Sequence, residues 1–295
     1  ATSIDGRRLL PPGGFRVHWL KFPLVPFPKG AAVPELPDVE IFRQYLSATS
    51  LHQPIREVVE CQKSLLRGLS LKSLEKLLVG KTFAGATRHG KYLFAEVEDE
   101  GFLVFHFGMT GFLRYFKGEG KEPRHVRLLL QFENGYRLAY DCQRKLGRIA
   151  FTETVEEFVR KQDLGPDAMK ICNDMGGITK LLEGRRGAIK PLLMNQGTLA
   201  GIGNIYSDEI LFQSGVHPKT PARELDDRSG KSIFVNMGEV LRTAIERRVG
   251  EKGWPGDWLL PHRKPGEVCP RCGGKIVRLK VSGRSAYLCE EHQRR

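Results

Sequence analysis

Apolar continuity is what the first 33 residues lack. Prolines at 11, 12, 23, 26 and 28 break every run before it reaches the length of a signal-peptide core or a membrane span. Cysteine is too sparse and too scattered for a secreted disulfide framework, since Cys61, Cys142 and Cys172 stand alone and only Cys269, Cys272 and Cys289 cluster. That usage points to a reducing compartment and to metal chemistry at the C-terminus. Acidic residues are outnumbered, 34 Asp+Glu against 47 Lys+Arg, and the net charge of +13 favours a polyanionic partner through counterion release. A basic but uninvolved surface is the bland alternative. At 295 residues, 40% hydrophobic and 27% charged, the chain is too mixed for disorder or a membrane class and long enough for about two packed domains.

The stretch Val33-Pro34-Glu35-Leu36-Pro37-Asp38-Val39-Glu40 sets an amine, a carboxyl group and a helix start side by side. If the chain begins at Pro34, its ring nitrogen is a secondary amine of pKa roughly 8, partly neutral at physiological pH and able to attack an aldehyde carbon. Glu35 then stands beside it as proton donor and acceptor. Pro37, Asp38 and Glu40 read as a first helical turn, with Val39, Phe42 and Leu46 as the buried stripe. Residues 1–33 are expected to be a disordered extension. Arg7, Arg8, Arg16, Lys21 and Lys29 allow an organelle address, but translation starting at the Val33 codon is the simpler account.

From Ile55 to Phe151 the pattern is short apolar or alternating runs: Ile55–Val59, Tyr92–Val97, Phe102–Phe107, Phe112–Phe116, Val126–Phe132 and Tyr136–Tyr140. Glu133-Asn134-Gly135 reads as a hairpin turn, and the whole as an antiparallel β-sandwich or flattened barrel with the leading helix packed against it. Several polar or protruding features lie within this half. They are Arg88-His89-Gly90-Lys91-Tyr92, His106-Phe107-Gly108-Met109-Thr110-Gly111, Arg124-His125-Val126-Arg127 and Asp141-Cys142-Gln143-Arg144-Lys145-Leu146-Gly147. Taken alone, Lys91 is a solvated lysine, Met109 a core gap-filler, and His125 as much a solvated strand edge as a contact.

After Thr154 the period changes from two to 3.6, and Leu164-Gly165-Pro166-Asp167 marks a hinge. Lys190 precedes Gly201-Ile202-Gly203-Asn204, where a helix begins whose free N–H groups are a ready phosphate site. Ser229–Val249 is an amphipathic helix with Phe234, Met237, Leu241, Ala244 and Ile245 inward. At the end, Cys269-Pro-Arg-Cys272 and Cys289-Glu-Glu-His292 are two knuckle-spaced pairs 16 residues apart, a ligand set suited to one closed, structural, tetrahedral zinc.

Taken in order from Pro34 to about Gln293, these motifs resemble the formamidopyrimidine-DNA glycosylase and endonuclease VIII family, nearer to the first branch. The resemblance implies an α+β chain in three parts. These are a β-sandwich catalytic domain with a leading helix over 34–152, a helix–two-turn–helix domain over 153–262 and a zinc-finger hairpin over 263–295. It implies a DNA repair glycosylase with lyase activity, removing oxidised, ring-opened purines from damaged double-stranded DNA as a monomer in the bacterial cytoplasm at the nucleoid, with no membrane partner. Pro34 would be the nucleophile and Glu35 the proton manager. Lys91, Lys190, Asn204 and Arg284 would hold phosphates, Met109 would fill the space of an everted nucleotide, and Arg144 or Lys145 would probe the opposite strand. Leu146 stands where the family has an aromatic and His292 where it usually has cysteine. The stretch Gly250–Pro265 is shorter than the family's lesion-capping loop, which predicts poor discrimination of 8-oxoguanine. Oxidised pyrimidines are the runner-up substrate. Two other classes stay open: a non-catalytic damage binder with Pro34 locked in a peptide bond, and a zinc-ribbon interaction protein.

Overall fold

A computed structural model describes residues 33–118, 120–172, 174, 181, 184–249 and 252–294. The expected disordered extension lies outside the described residues apart from Val33. The chain then enters helix α1, Leu36–Thr49, started by Pro37 and by Asp38, which accepts the Glu35 N–H at 2.9 Å. Leu36, Val39, Phe42 and Leu46 are its buried stripe.

Nine strands follow among the described residues of the first half: β1 (Ile55–Cys61), β2 (Leu66–Arg67), β3 (Phe83–His89), β4 (Tyr92–Val97), β5 (Gly101–His106), β6 (Gly111–Lys117), β7 (Val126–Phe132), β8 (Tyr136–Cys142) and β9 (Arg148–Thr152). Helix α2, Leu71–Leu78, precedes β3 and is capped by Ser70, whose hydroxyl accepts the Ser73 N–H at 3.0 Å. One sheet runs β2-β9-β5-β4-β3 and the other β1-β7-β8-β6. Pairing is antiparallel throughout the two sheets except where the two residues of β2 lie parallel to β9. The expected sandwich is therefore present, and the Glu133–Gly135 hairpin joins β7 to β8 with Asn134 Oδ1 accepting the Tyr136 N–H at 2.9 Å.

Leu93, Ala95, Phe105, Leu130, Phe132 and Tyr140 meet between the sheets, each large side chain contributing about 2 kcal/mol by burial. The run Tyr92-Leu93-Phe94-Ala95 does not alternate because both faces of β4 are covered. Phe94, on the outer face, packs edge-on at 5.4 Å against Phe158 of helix α3 (Val155–Lys161).

The second half contains α4 (Ala168–Ile171), α5 (Ile189–Met194), α6 (Asn204–Gln213) and α7 (Asp227–Val249). Every residue of α6 from Tyr206 to Phe212 is buried. Helix α7 wraps it, with Phe234, Met237, Leu241 and Ala244 inward as expected and Ile233 and Val240 beside them. The chain ends in the hairpin β10 (Ile276–Val281) and β11 (Arg284–Cys289). Helix α1 packs on β3, β4 and β6 and also on α7, so it joins the halves rather than serving the sandwich alone. The expected hinge is pinned by an ion pair: the Arg88 guanidinium meets both Asp167 oxygens at 2.5 and 3.2 Å, and the Gly90 N–H donates to Asp167 at 2.7 Å.

Candidate active site

Glu35 is the residue before α1, and its side chain reaches across the seam to the start of α6. Oε2 accepts the N–H of Gly203 at 2.7 Å and of Tyr206 at 3.3 Å, while Oε1 accepts that of Ile205 at 2.9 Å. The helix end that the sequence offers as a free phosphate site is thus occupied by the protein's own carboxylate. An intramolecular anion held one residue from α1 satisfies these donors without the ordering cost of a bound ion. Gly203 makes the approach possible, since a Cβ there would stand 2.3 Å from the Glu35 carboxyl carbon.

Burial pushes the Glu35 carboxyl above its ordinary value, against the opposing charge of Lys91 and the α6 N–H groups. Lys91 lies on the turn between β3 and β4, and burial pulls its ammonium down, opposed by Glu35 and reinforced by Arg284. Arg284 is exposed at the start of β11, so the finger presents a guanidinium to the same space. Pro34, beside Glu35 in the chain, is buried there. Asn204 opens α6, and its side-chain Oδ1 is buried without a hydrogen-bond partner in the chain.

Lys190 does not belong to this surface. It is 0% exposed, and its ammonium is held by the Asp208 carboxylate, by Ser207 Oγ at 3.1 Å and by the Asn204 carbonyl at 3.1 Å. With three donors and three internal acceptors it has nothing left for a phosphate. The basic residue expected to touch DNA instead neutralises a buried carboxylate on a helix whose middle, Tyr206 to Phe212, is wholly buried.

Sequence reasoning also passed over Asp38, read only as a helix-start residue. Asp38 is 5% exposed and ion-paired with Arg248 of α7. Burial also pushes the phenol of Tyr206 well up, and Asp38 adds to the effect. An acid in a first turn is ordinary, and nothing local marks this one as paired across 210 residues.

A second group of expected residues gathers at the loop tips of the sandwich. Met109 sits half-buried on the turn between β5 and β6, and Arg144, Lys145 and Leu146 are exposed between β8 and β9. The Arg144 N–H donates to Thr110 Oγ1 at 3.2 Å, which ties the two loops together. Gly108 is required where they touch, because its φ is +58° and a Cβ would meet the Leu146 carbonyl carbon at 2.5 Å. Leu146 is 49% exposed, an apolar side chain held out to solvent. His125 is anchored at the base of this loop, its N–H donating to Asp141 at 2.6 Å.

At the finger, the sulfur atoms of Cys269, Cys272 and Cys289 lie within 4.8 Å of one another. Cys272 and Cys289 are 3.5 Å apart, far beyond a disulfide and close to the roughly 3.8 Å between two thiolates each about 2.3 Å from a tetrahedral zinc. The donor set therefore fits zinc. His292 is not among these mutually close sulfurs: its ring packs on Phe212 at 4.7 Å and its Nε2 bonds the Phe212 carbonyl at 2.8 Å, the outer hydrogen bond that orients a ligating imidazole and leaves Nδ1 for a metal. The neighbouring Gln293 is more deeply fixed, with Nε2 donating to the Val216 carbonyl at 2.9 Å and Oε1 accepting the Cys289 N–H at 3.2 Å.

Comparison with known proteins gives these clusters a common setting. The formamidopyrimidine-DNA glycosylase N-terminal domain matches residues 33–149, its H2TH domain residues 164–253, and a zinc finger found in FPG and IleRS residues 266–290. The chain is 33% identical over 273 residues to a formamidopyrimidine-DNA glycosylase of Syntrophomonas wolfei, covering 88% of this chain and 100% of that protein. It is 31% identical to one of Pelotomaculum thermopropionicum, covering 89% and 99%. Two crystal structures of the Lactococcus lactis enzyme superpose with a TM-score of 0.80 over 89% of this chain and 100% of theirs. One, 29% identical, is bound non-covalently to DNA containing an abasic site, and the other, 30% identical, is in complex with DNA containing an oxidised pyrimidine. With matches that run through both halves and the finger, and relatives above 30% identity aligned over nearly their whole length, the chain belongs to the formamidopyrimidine-DNA glycosylase family.

Proposed function

We propose that this protein removes oxidised, ring-opened purines from duplex DNA and then cuts the strand at the resulting abasic site, with the Pro34 nitrogen as nucleophile. The observation that carries the reading is the Glu35 carboxylate, buried next to Pro34 and clamped on the α6 N-terminus within the field of Lys91 and Arg284. A damaged nucleotide rotates out of the stack, which is cheapest where pairing is already weakened. The nitrogen attacks deoxyribose C1′ and the base leaves. Glu35, whose raised pKa keeps a proton within reach, handles proton transfer at the opening sugar. The Schiff base acidifies the adjacent C2′, so the 3′ and then the 5′ phosphate can be eliminated.

Lys91, Arg284 and the open Asn204 side chain face the phosphates at this site. Met109 and Leu146 enter the space left in the duplex as wedges, while Arg144, Lys145 and His125 follow the opposite strand. Cys269, Cys272 and Cys289, with His292 as the fourth ligand, would hold one zinc whose role is to fold the finger. Residues 34–152, 153–262 and 263–295 act as sandwich, helical and finger domains, working as a monomer on the bacterial nucleoid. Formamidopyrimidines are the preferred lesion over 8-oxoguanine because Gly250–Pro265 is short. Oxidised pyrimidines are the second reading, favoured by the oxidised-pyrimidine complex of the Lactococcus lactis relative.

The decisive test is borohydride trapping on abasic DNA with two forms of the chain, one beginning at Pro34 and one retaining residues 1–33. A proline nitrogen acylated by Val33 has no proton and no free lone pair. Only the shorter form should trap, and Pro34→Gly in that form should retain some trapping through its primary amine. Equal trapping by both forms would move the nucleophile to a side chain such as Lys91.

A further inference from the structure

On the outer face of the five-stranded sheet, away from the sandwich core, a cavity of about 240 Å³ is lined by Arg67, Tyr92, Val104, His106, Arg148, Ala150, Phe158 and Gln162. The chemistry of its wall is one-sided. Val104 and Phe158 form an apolar floor, and no carboxylate lines it. His106 Nδ1 accepts the Gly108 N–H at 3.3 Å, which leaves the proton on Nε2 as a donor. Burial and the charges of Arg148 and Lys91 hold this imidazole down to about 4, so it stays neutral and keeps that tautomer. The His106 ring leans on Tyr92 with centroids 4.9 Å apart. Arg148 and Arg67 stand exposed at the rim, and the Arg67 Nη1 is tethered to the Ser64 carbonyl at 2.8 Å, which aims the side chain.

We infer that this cavity is a site for a phosphomonoester carried on a nucleotide: two guanidiniums and the donors of Tyr92 and His106 take the phosphate, and the apolar floor takes the sugar or ring. A terminal phosphate carries more charge than a backbone diester, so this all-donor pocket selects strand ends and free nucleotides. The cavity and the proposed active site share strand β4, since Tyr92 follows Lys91 in sequence and the Lys91 charge reaches His106. Phosphate termini left by strand cleavage are therefore one source of the ligand. This strand-end source rests on the proposed lyase reaction, whereas binding of a free nucleotide does not.

The test titrates the zinc-loaded protein with thymidine monophosphate, thymidine and inorganic phosphate while following the ring resonances of Tyr92 and His106. In parallel it measures affinity for a one-nucleotide-gapped duplex whose gap termini carry either phosphate or hydroxyl. The monophosphate should shift both rings where thymidine does not, and the phosphate-ended duplex should bind about tenfold more tightly, the effect of one charged hydrogen bond. Arg148→Ala should erase both differences. If that variant unfolds, Gln162→Glu, which adds a carboxylate at the exposed rim, should do the same. Ring shifts without a gap-end effect assign the site to free nucleotides, and a gap-end effect alone assigns it to strand ends. Absence of both effects, or their persistence in Arg148→Ala and Gln162→Glu, overturns the inference.

Discussion

Between the two sheets Leu93, Phe105, Phe132 and Tyr140 touch mainly apolar neighbours, whereas around α6 the equally buried Glu35, Lys190, Asp208 and Glu209 all carry ionisable groups. Both interiors exclude water, but they respond to different constraints. In the sandwich, volume and shape decide the cost of a change, and a neighbour can partly relax into a void. Around α6 the charged groups are matched to particular partners: Lys190 and Arg263 share Asp208, and Glu209 accepts from Leu259 at 3.2 Å, Leu260 at 2.8 Å and Gln213 at 2.7 Å. Removing one partner there strands a charge. Several basic and acidic motif residues are therefore committed to the interior, and fewer remain for DNA than the motifs suggest.

That contrast breaks most sharply at Glu35. Glu35→Gln should lower base excision by about 10²–10⁴-fold while damaged DNA still binds, because a general acid–base group is lost but the cap is partly kept. Gly203→Ala should mimic it without touching a titratable group, by driving the carboxylate off α6. Single-turnover excision rates on a formamidopyrimidine duplex check both, and an unchanged rate in Gly203→Ala would mean the clamp is irrelevant to chemistry.

Next in size is Lys190→Met. It should cost about 3–5 kcal/mol in chemical denaturation by leaving Asp208 under-compensated, comparable to Phe105→Ala in the sandwich. The salt dependence of DNA binding should not move. A reduced salt slope with unchanged stability would restore Lys190 to the DNA surface.

Glu209 gives the polar interior a pH signature opposite in sign to that of His106 in the sandwich, whose neutral form burial favours. Burial raises its carboxyl to about 7, so between pH 4.5 and 7 the folded chain holds a proton that the unfolded chain has released. The Glu209 contribution to stability should then fall by about 3 kcal/mol as pH rises through that window and level off above it. Urea unfolding of wild type and Glu209→Gln in parallel should isolate this contribution, with the wild type losing about 3 kcal/mol relative to the variant between pH 4.5 and 7.

The smallest effect is expected at the exposed rim. Arg284→Ala should retain zinc and stability, weaken DNA binding several-fold and lower the salt slope by about one, as read from binding isotherms at several salt concentrations. An unchanged slope would remove Arg284 from the phosphates.

Most strands and the long helix were legible as short apolar runs between turns or as a 3.6-residue stripe. Val126–Phe132 and Tyr92–Val97 match their expected bounds, and α7 buries the stripe its spacing predicts. Strands β3 and β9 and helix α2 were not expected. Phe83-Ala-Gly-Ala-Thr-Arg-His has one large apolar residue and forms a strand because β4 pairs with it, while the five residues of β9 are held between β5 and β2. Local sequence is too weak to signal an element whose stability comes from its neighbours.

The same division runs through the site. Sequence alone established Pro34-Glu35 at a helix start, a glycine-flanked second helix at Asn204, the glycine-bounded turn that carries Met109, and a cysteine cluster with metal spacing. Those features are local, written in residue type and short spacing. Only the tertiary structure decided that Glu35 caps the helix 168 residues away, that Asp38 pairs with Arg248, that Lys190 is internal and that His292 turns to Phe212. Each of those outcomes depends on which groups lose water together on folding. That is set by the packing of α1 against α6 and α7 and of the finger against α6, and no short stretch of sequence contains both partners.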